Sequence, residues 1–265
     1  MPAESDNAGQ LLGGDDPPPV RVLRPEGHSD FLLTADHAGR AIPRRLGTLG
    51  VADSELMRHI AWDIGIAGVT ERLAEALDAA AILQNYSRLV IDCNRQPGLD
   101  SSIPTVSELT AIPGNADLSA AERETRRHEI FVPYHQRIEE LLKRRRTPGR
   151  RAVLVAMHSF TPVFKSVARA VEVGILYNRE ARLAQIMLDL LRREGDLEVG
   201  DNQPYAVGDL SDYTVPVHGE GRGLPHVEIE IRQDLIAEPT GQAAWAARLA
   251  RLLPEADGRL REQGA

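Results

Sequence analysis

Six consecutive apolar residues in AVLVAMHSF, Ala152 to Met157, run straight into His158 and Ser159, and no other stretch restricts the fold as much. An uncharged run of this length reads as a strand buried on both faces, which places it inside a sheet covered by helices. DFLLTADHAG is a second such run, broken at His37 and Gly39, and AVEVGILYN is a third. HVEIEIRQDLI alternates with period two, and AAIL and RLVIDCN read as a pair of strands around QNYS. Between them lie stretches of helical spacing. Residues 54–79 carry Ser54 as N-cap and two interruptions, Gly65 and Gly68, which mean either two helices or one with a tight contact. SAAERETRRHEIFVPYHQRIEELLKRRR opens on a capping box, Ser119 to Glu122, and Pro133 kinks or divides it. EARLAQIMLDLLRREG ends at Gly195, and the segment from Thr240 onward is helical to the end. Strands alternating with helices predict an α/β fold, a three-layer sandwich around a mixed, mostly parallel central sheet.

Residues 1–20 are rich in Pro, Gly and Asp and predict a flexible tail, leaving 21–265 as a single domain. A formal net charge of −8 argues against general binding to nucleic acid or an anionic membrane. The single cysteine, Cys93, forms no internal disulfide, so a reducing cytoplasm is the simplest compartment. No apolar run reaches the roughly 20 residues of a membrane helix. The N-terminus has no basic stretch leading into an apolar core, so no signal peptide is expected.

Chemistry concentrates where strands end. Sites of open α/β sheets form at the carboxyl ends of strands, and His37, Asn94 with Arg95, and His158 are all expected there. Neutral imidazole suits zinc, so two histidines closing two strands predict a shared ion that needs one more protein ligand. Asp63 in AWDIG is the candidate, because an acid inside an apolar pattern is costly unless paired or coordinated. The alternative for Asp63 is a cap in a broken helix. Within SRLVIDCNR, a guanidinium from Arg88 or Arg95 can take a carboxylate through two parallel hydrogen bonds, or pair structurally with Asp92. Asn202 and Tyr205 in GDNQPY are further pocket candidates, and His59, four residues before Asp63, is a candidate partner for it. His218 lies in a glycine-rich segment expected to be mobile, and His135 is expected to pack a helix.

The strings ADHAGRAIP, AWDIG, SRLVIDCNR, HSF and GLPHVEIEIRQDL, in this order, resemble the N-formylglutamate amidohydrolase family from about residue 29 to 240. That family is similar in fold to zinc carboxypeptidases and aspartoacylases, whose order of site residues is matched by His37, Asn94-Arg95, His158 and Glu230. In one respect the chain departs. The carboxypeptidase pattern has a Glu three residues after the first His, where this chain has Arg40, so the second ligand is expected from elsewhere in the chain, with Asp63 the candidate. The resemblance implies one zinc ion on His37, Asp63 and His158, with Glu230 as general base toward water. It further implies Arg88 opposite the oxyanion, and Asn94 and Arg95 on the carboxylate of an N-acyl amino acid. The expected reaction is amide hydrolysis of N-formyl-L-glutamate or a similar small molecule. The alternatives are an N-acyl amino acid deacylase or small carboxypeptidase of other specificity, or a ligand-binding relative without catalysis.

Overall fold

The computed structural model describes residues 9–146 and 150–264. One sheet organises them. Its strands are β1 (Val20–Leu23), β2 (Phe31–Ala35), β3 (Ala80–Gln84), β4 (Val153–Phe160), β5 (Val173–Leu176), β6 (Val199–Asp201) and β7 (His226–Arg232). Across the sheet the order is β1-β3-β2-β4-β7-β5-β6. The contacts β3–β2, β2–β4, β4–β7 and β5–β6 are parallel, and the edge pair β1–β3 and the inner pair β7–β5 are antiparallel. The sheet is therefore mixed and mostly parallel, and every residue of β4 is buried, as its apolar run requires.

Side-chain alternation decides which layer each strand residue joins. Leu33, Val155, Val227 and Ile229 point to one face, where α2 (Ile66–Leu77), α5 (Arg182–Glu194) and α6 (Pro239–Glu262) cover them. In α5 the buried Leu183, Ile186, Met187, Leu190 and Leu191 form one stripe at helical spacing. Leu32, Ile82 and Leu154 point to the opposite face, against α4 (Val132–Arg146) and the loop through Leu89 and Ile91. Three layers result. His158, Glu228 and Glu230 alternate onto this second face, where polar atoms replace core.

Local chemistry explains where the chain departs from the expected elements. The stretch 54–79 divides into the single turn α1 (Asp53–Leu56) and the helix α2. Gly65 caps α2 at φ +82, and a Cβ there would lie 2.1 Å from the Ile236 carbonyl oxygen; one at Gly68 would lie 2.0 Å from Gln242 Oε1. Both readings of the glycines hold: the helix breaks, and a close contact fills the break. RLVIDCN is not a strand. Ser87 Oγ takes the Leu89 amide at 3.1 Å and Asp92 Oδ1 takes the Asn94 amide at 2.8 Å, so side chains satisfy the backbone locally and the segment turns. Consequently Asn94 and Arg95 sit on a loop. Arg126, which closes α3 (Ala120–Arg126), holds that loop by donating to the Val90 carbonyl at 2.9 Å. The capping box at Ser119 is formed, and a π-helical stretch, Arg127–Phe131, joins α3 to α4 just before Pro133.

The expected tail falls partly on residues 1–8, outside the described residues. Residues 9–19 are held against the fold rather than free. Leu11 and Leu12 donate their amides to Glu129 at 2.9 and 2.8 Å, and Tyr86 Oη donates to the Pro17 carbonyl at 2.6 Å. Cys93 is free and buried. Among the described residues no helix is long and apolar enough to cross a membrane.

His218, expected on a mobile segment, is instead buried in a second π-helical stretch, Val215–Gly219. Its Nε2 lies 3.0 Å from His135 Nδ1, the two rings stack at an interplanar angle of 12°, and His135 Nε2 donates to the Cys93 carbonyl at 2.8 Å. Burial pushes His135 down to about 4 and His218 down to about 3. Both are therefore neutral in the fold down to pH values where unfolded histidine is charged. Above pH ~6.5 neither state binds the protons and there is no penalty; below it the unfolded chain alone takes them up, and stability falls. Between pH 7 and 5 the pair is expected to cost about 2–4 kcal/mol. Urea unfolding at the two pH values tests this: His218→Asn should shallow the pH slope, and an unchanged slope would refute it.

Candidate active site

Three buried side chains from distant parts of the chain meet beyond the carboxyl end of β2. His37 follows β2 after Ala35 and Asp36, Asp63 lies in the turns before α2, and His158 is in β4. Their segments are tied directly, since the Asp63 amide donates to the His37 carbonyl at 2.9 Å and the Ser159 amide to Asp63 Oδ2 at 3.2 Å. One ligand atom from each of His37, Asp63 and His158 lies within 4.8 Å of the others. Asp63 Oδ2 is 3.5 Å from His37 Nδ1 and 3.0 Å from His158 Nδ1.

The far nitrogen of each imidazole faces a different carboxylate. His37 Nε2 lies 2.7 Å from Asp92 Oδ1, and His158 Nε2 lies 3.3 Å from Asp36 Oδ2. At His37 the Asp92 carboxylate behind the outer nitrogen fixes the tautomer and turns the other lone pair inward, which is the arrangement of metal-ligating histidines, whereas Asp36 faces His158 without a hydrogen bond. His37 Nδ1, buried, has no hydrogen-bond partner. The donor set, two imidazoles and one carboxylate with a free position, fits a tetrahedral divalent ion such as zinc. The charge balance fits too. Burial disfavours a charge on His158, yet Glu228, Asp36 and Asp63 outweigh it and hold its pKa well above the usual imidazole range. A divalent ion on His37, Asp63 and His158 would face the same acids in place of that proton.

Glu230 and Glu228 complete the wall from β7. Parallel register puts Glu230 beside His158 and Glu228 beside Ala156 of β4. Burial pushes Glu230 up to about 7 and Glu228 well above the carboxylate range. His37, Asp63, Asp92, His158, Glu228 and Glu230 border one cavity of about 500 Å³, whose lining also includes Phe160, Phe164 and Tyr205.

The loop after β3 brings in the remaining polar groups. Asp92 is its organiser: Oδ2 takes Arg88 Nε and Nη2 at 3.0 and 2.6 Å, while Oδ1 serves His37 and the Asn94 amide. The Arg–Asp pair anticipated as an alternative is thus present, and Arg88 Nη1 still lies 3.7 Å from Asp63 Oδ1 at the cavity. Asn94 Oδ1 takes the amides of Tyr213 and Thr214 at 2.9 and 3.0 Å, so it braces a loop as well as lining the cavity. Arg95 lines the cavity with only a 3.3 Å contact to the Asn94 carbonyl and a 3.4 Å one to Asp212. Tyr205 lines it as well, its hydroxyl held by Arg169 at 2.8 Å.

Two expectations are corrected. Asn202 does not border the cavity: at φ +48 its side chain turns back and Oδ1 takes the Tyr177 amide at 3.0 Å. His59 is not the partner of Asp63; its Nε2 faces Glu108 Oε2 at 3.6 Å, and both line the cavity. Sequence reasoning missed Asp36, Glu108, Asp212 and Glu228. Only Asp36 was signalled, as a second polar residue closing an apolar strand.

Known proteins share the fold that carries this cavity. The profile of the N-formylglutamate amidohydrolase family matches residues 29–237. Among solved structures, gene product Atu2144 from Agrobacterium tumefaciens is 40% identical, covering 95% of this chain and 100% of that one, with a TM-score of 0.91. N-formylglutamate amidohydrolase from Ralstonia eutropha JMP134 shares the fold at a TM-score of 0.66 and 19% identity, over 92% of this chain and 99% of that one. No curated protein matches. With the family profile spanning most of the chain over the strands and loops that build this cavity, the chain belongs to the N-formylglutamate amidohydrolase family, hydrolases of carbon–nitrogen bonds.

Proposed function

We propose that the protein is a metal-dependent amidohydrolase that cleaves the amide of N-formyl-L-glutamate or a related N-acyl amino acid to a carboxylate and the free amino acid. The observation that carries this reading is the convergence of His37, Asp63 and His158 within 4.8 Å, with Glu230 in register beside His158. Those three residues would hold the ion, zinc being the best match to their donor set. A divalent ion bound there supplies Lewis-acid chemistry, activating water and polarising the amide carbonyl.

The chain's own groups do the rest. Glu230 takes the proton of the attacking water and returns it to the departing amine nitrogen, so that neither a hydroxide nor an amide anion leaves uncompensated. Arg88, locked by Asp92 yet facing the Asp63 side of the cavity, stabilises the oxygen that becomes negative as the carbonyl carbon turns tetrahedral. Arg95 is the open guanidinium for the α-carboxylate, and Asn94 fixes the loop that carries it, which sets the scissile amide against Glu230. Tyr205 forms part of the cavity wall.

Turnover of a panel of N-acyl amino acids, N-formyl-L-glutamate included, with metal present and after chelation, is the direct test. Release of acid and free amino acid that stops on chelation and returns with zinc is expected. Chelator-resistant turnover would refute the metal, and no turnover of any member would refute the hydrolase.

A further inference from the structure

His135 and His218 have no task in that reaction, and neither borders the cavity. They are 7% and 3% exposed. Their hydrogen bonds run in one direction. His135 Nε2 donates to the Cys93 carbonyl, so its Nδ1 is the bare nitrogen that accepts from His218 Nε2. A proton added to His135 would set two N–H groups against each other, so this polarity and burial both keep the ring neutral. Packing alone requires no imidazole here. Apolar side chains of similar volume would fill the space beside Phe131, Tyr134 and Tyr213 without losing stability on acidification. What they could not supply is a donor to a buried peptide carbonyl.

That carbonyl belongs to the peptide joining Cys93 to Asn94, one residue before Arg95. Asn94 is held from other directions as well. Its amide donates to Asp92 Oδ1, and its Oδ1 takes the amides of Tyr213 and Thr214. Thr214 leads directly into the π-helical stretch that carries His218. A closed circuit results: α4 holds the Cys93 peptide through His135, His135 holds the π-helical stretch through His218, and that stretch holds Asn94 through Thr214. The Arg95 guanidinium has long contacts of 3.3 and 3.4 Å, too weak to fix its aim, which therefore depends on the backbone that the circuit holds.

We propose that His135 and His218 are positioning residues that aim Arg95 at the α-carboxylate of the substrate. The proposal rests on the hydrolase reading and places the support of its carboxylate recognition outside the cavity. His135→Leu removes both hydrogen bonds. In the metal-loaded protein it is expected to raise KM for the N-acyl amino acid turned over by about tenfold, with kcat within about threefold of wild type and metal content unchanged. Added to Arg95→Ala, the same substitution should change KM by less than about twofold, because its effect passes through the guanidinium already removed. A merely structural histidine would lower the folded fraction, and with it kcat per total protein, and leave KM alone. A folded His135→Leu with wild-type KM, or one whose effect on KM persists in full without Arg95, overturns the proposal. Should His135→Leu not fold, His218→Leu, which deletes the donor to His135 and spares the bond to Cys93, is put through the same two measurements. Should no N-acyl amino acid be turned over, the hydrolase reading fails and calorimetry judges the positioning role. Free L-glutamate should then bind wild type about tenfold more tightly than the variant; equal affinities, or binding to neither, overturn it.

Discussion

Glu230→Gln is expected to lower kcat by about 10²–10⁴-fold while metal content and melting temperature stay at wild-type values. Glutamine fills the same volume and keeps an oxygen, but it neither takes nor returns a proton. The substitution should be structurally mild, because Glu230 Oε2 has no hydrogen-bond partner to lose. The chemical loss should be large for a positional reason. Parallel register holds Glu230 beside His158, on the strand face that opens to the cavity, next to the candidate ligands and with a carboxyl oxygen free of other partners. Burial, which pushes its pKa up to about 7, leaves the group able to act in both directions near neutral pH. Steady-state kinetics at saturating substrate, with metal analysis of the same sample, checks the prediction. A folded, metal-loaded Glu230→Gln retaining more than about a tenth of wild-type kcat would remove Glu230 from the role of base.

Strands and helices with one strong period were legible in the sequence; segments governed by side-chain-to-backbone bonds were not. AVLVAMHSF was legible as an inner strand because the six residues from Ala152 to Met157 offer water nothing polar on either face. RLVIDCN has the composition of a strand, yet Ser87 and Asp92 outcompete a ladder partner and the segment becomes the loop that carries Arg88 and Asn94. The same competition hid part of the site. Asp92 was read as a partner for arginine, and it also orients His37, which requires knowing that two residues 55 apart in the chain meet. The ligand candidates were legible because a histidine or aspartate closing or interrupting an apolar run has few uses. Glu228 was hidden by its alternation: in HVEIEIRQDL a solvated face and a cavity wall look alike, and only the position of β7 between β4 and β5 separates them. Asn202 failed for the opposite reason, since a polar loop residue with a left-handed backbone was free to satisfy its own neighbourhood.

Asp63→Asn is expected to weaken metal binding by at least about 100-fold, the upper end of what even the outer partners of a ligand cost. Asp63 is the carboxylate between the two inward-facing nitrogens, 3.5 and 3.0 Å away, so its charge is the part of the donor set that the ion feels most. Asparagine keeps the oxygen that receives the Ser159 amide, and the fold is therefore retained. This separates a ligand from a structural acid. In the wild type, bound metal stabilises the native state by mass action, so chelation should lower the melting temperature by several degrees. In Asp63→Asn the melting temperature should be insensitive to chelator, and lost activity should return in part as free zinc is raised. If Asp63 served only to pair His37 and His158, both proteins would respond to chelator alike and added zinc would restore nothing. Equal zinc affinities by competition titration would reject Asp63 as a ligand, and with it the donor set of His37, Asp63 and His158.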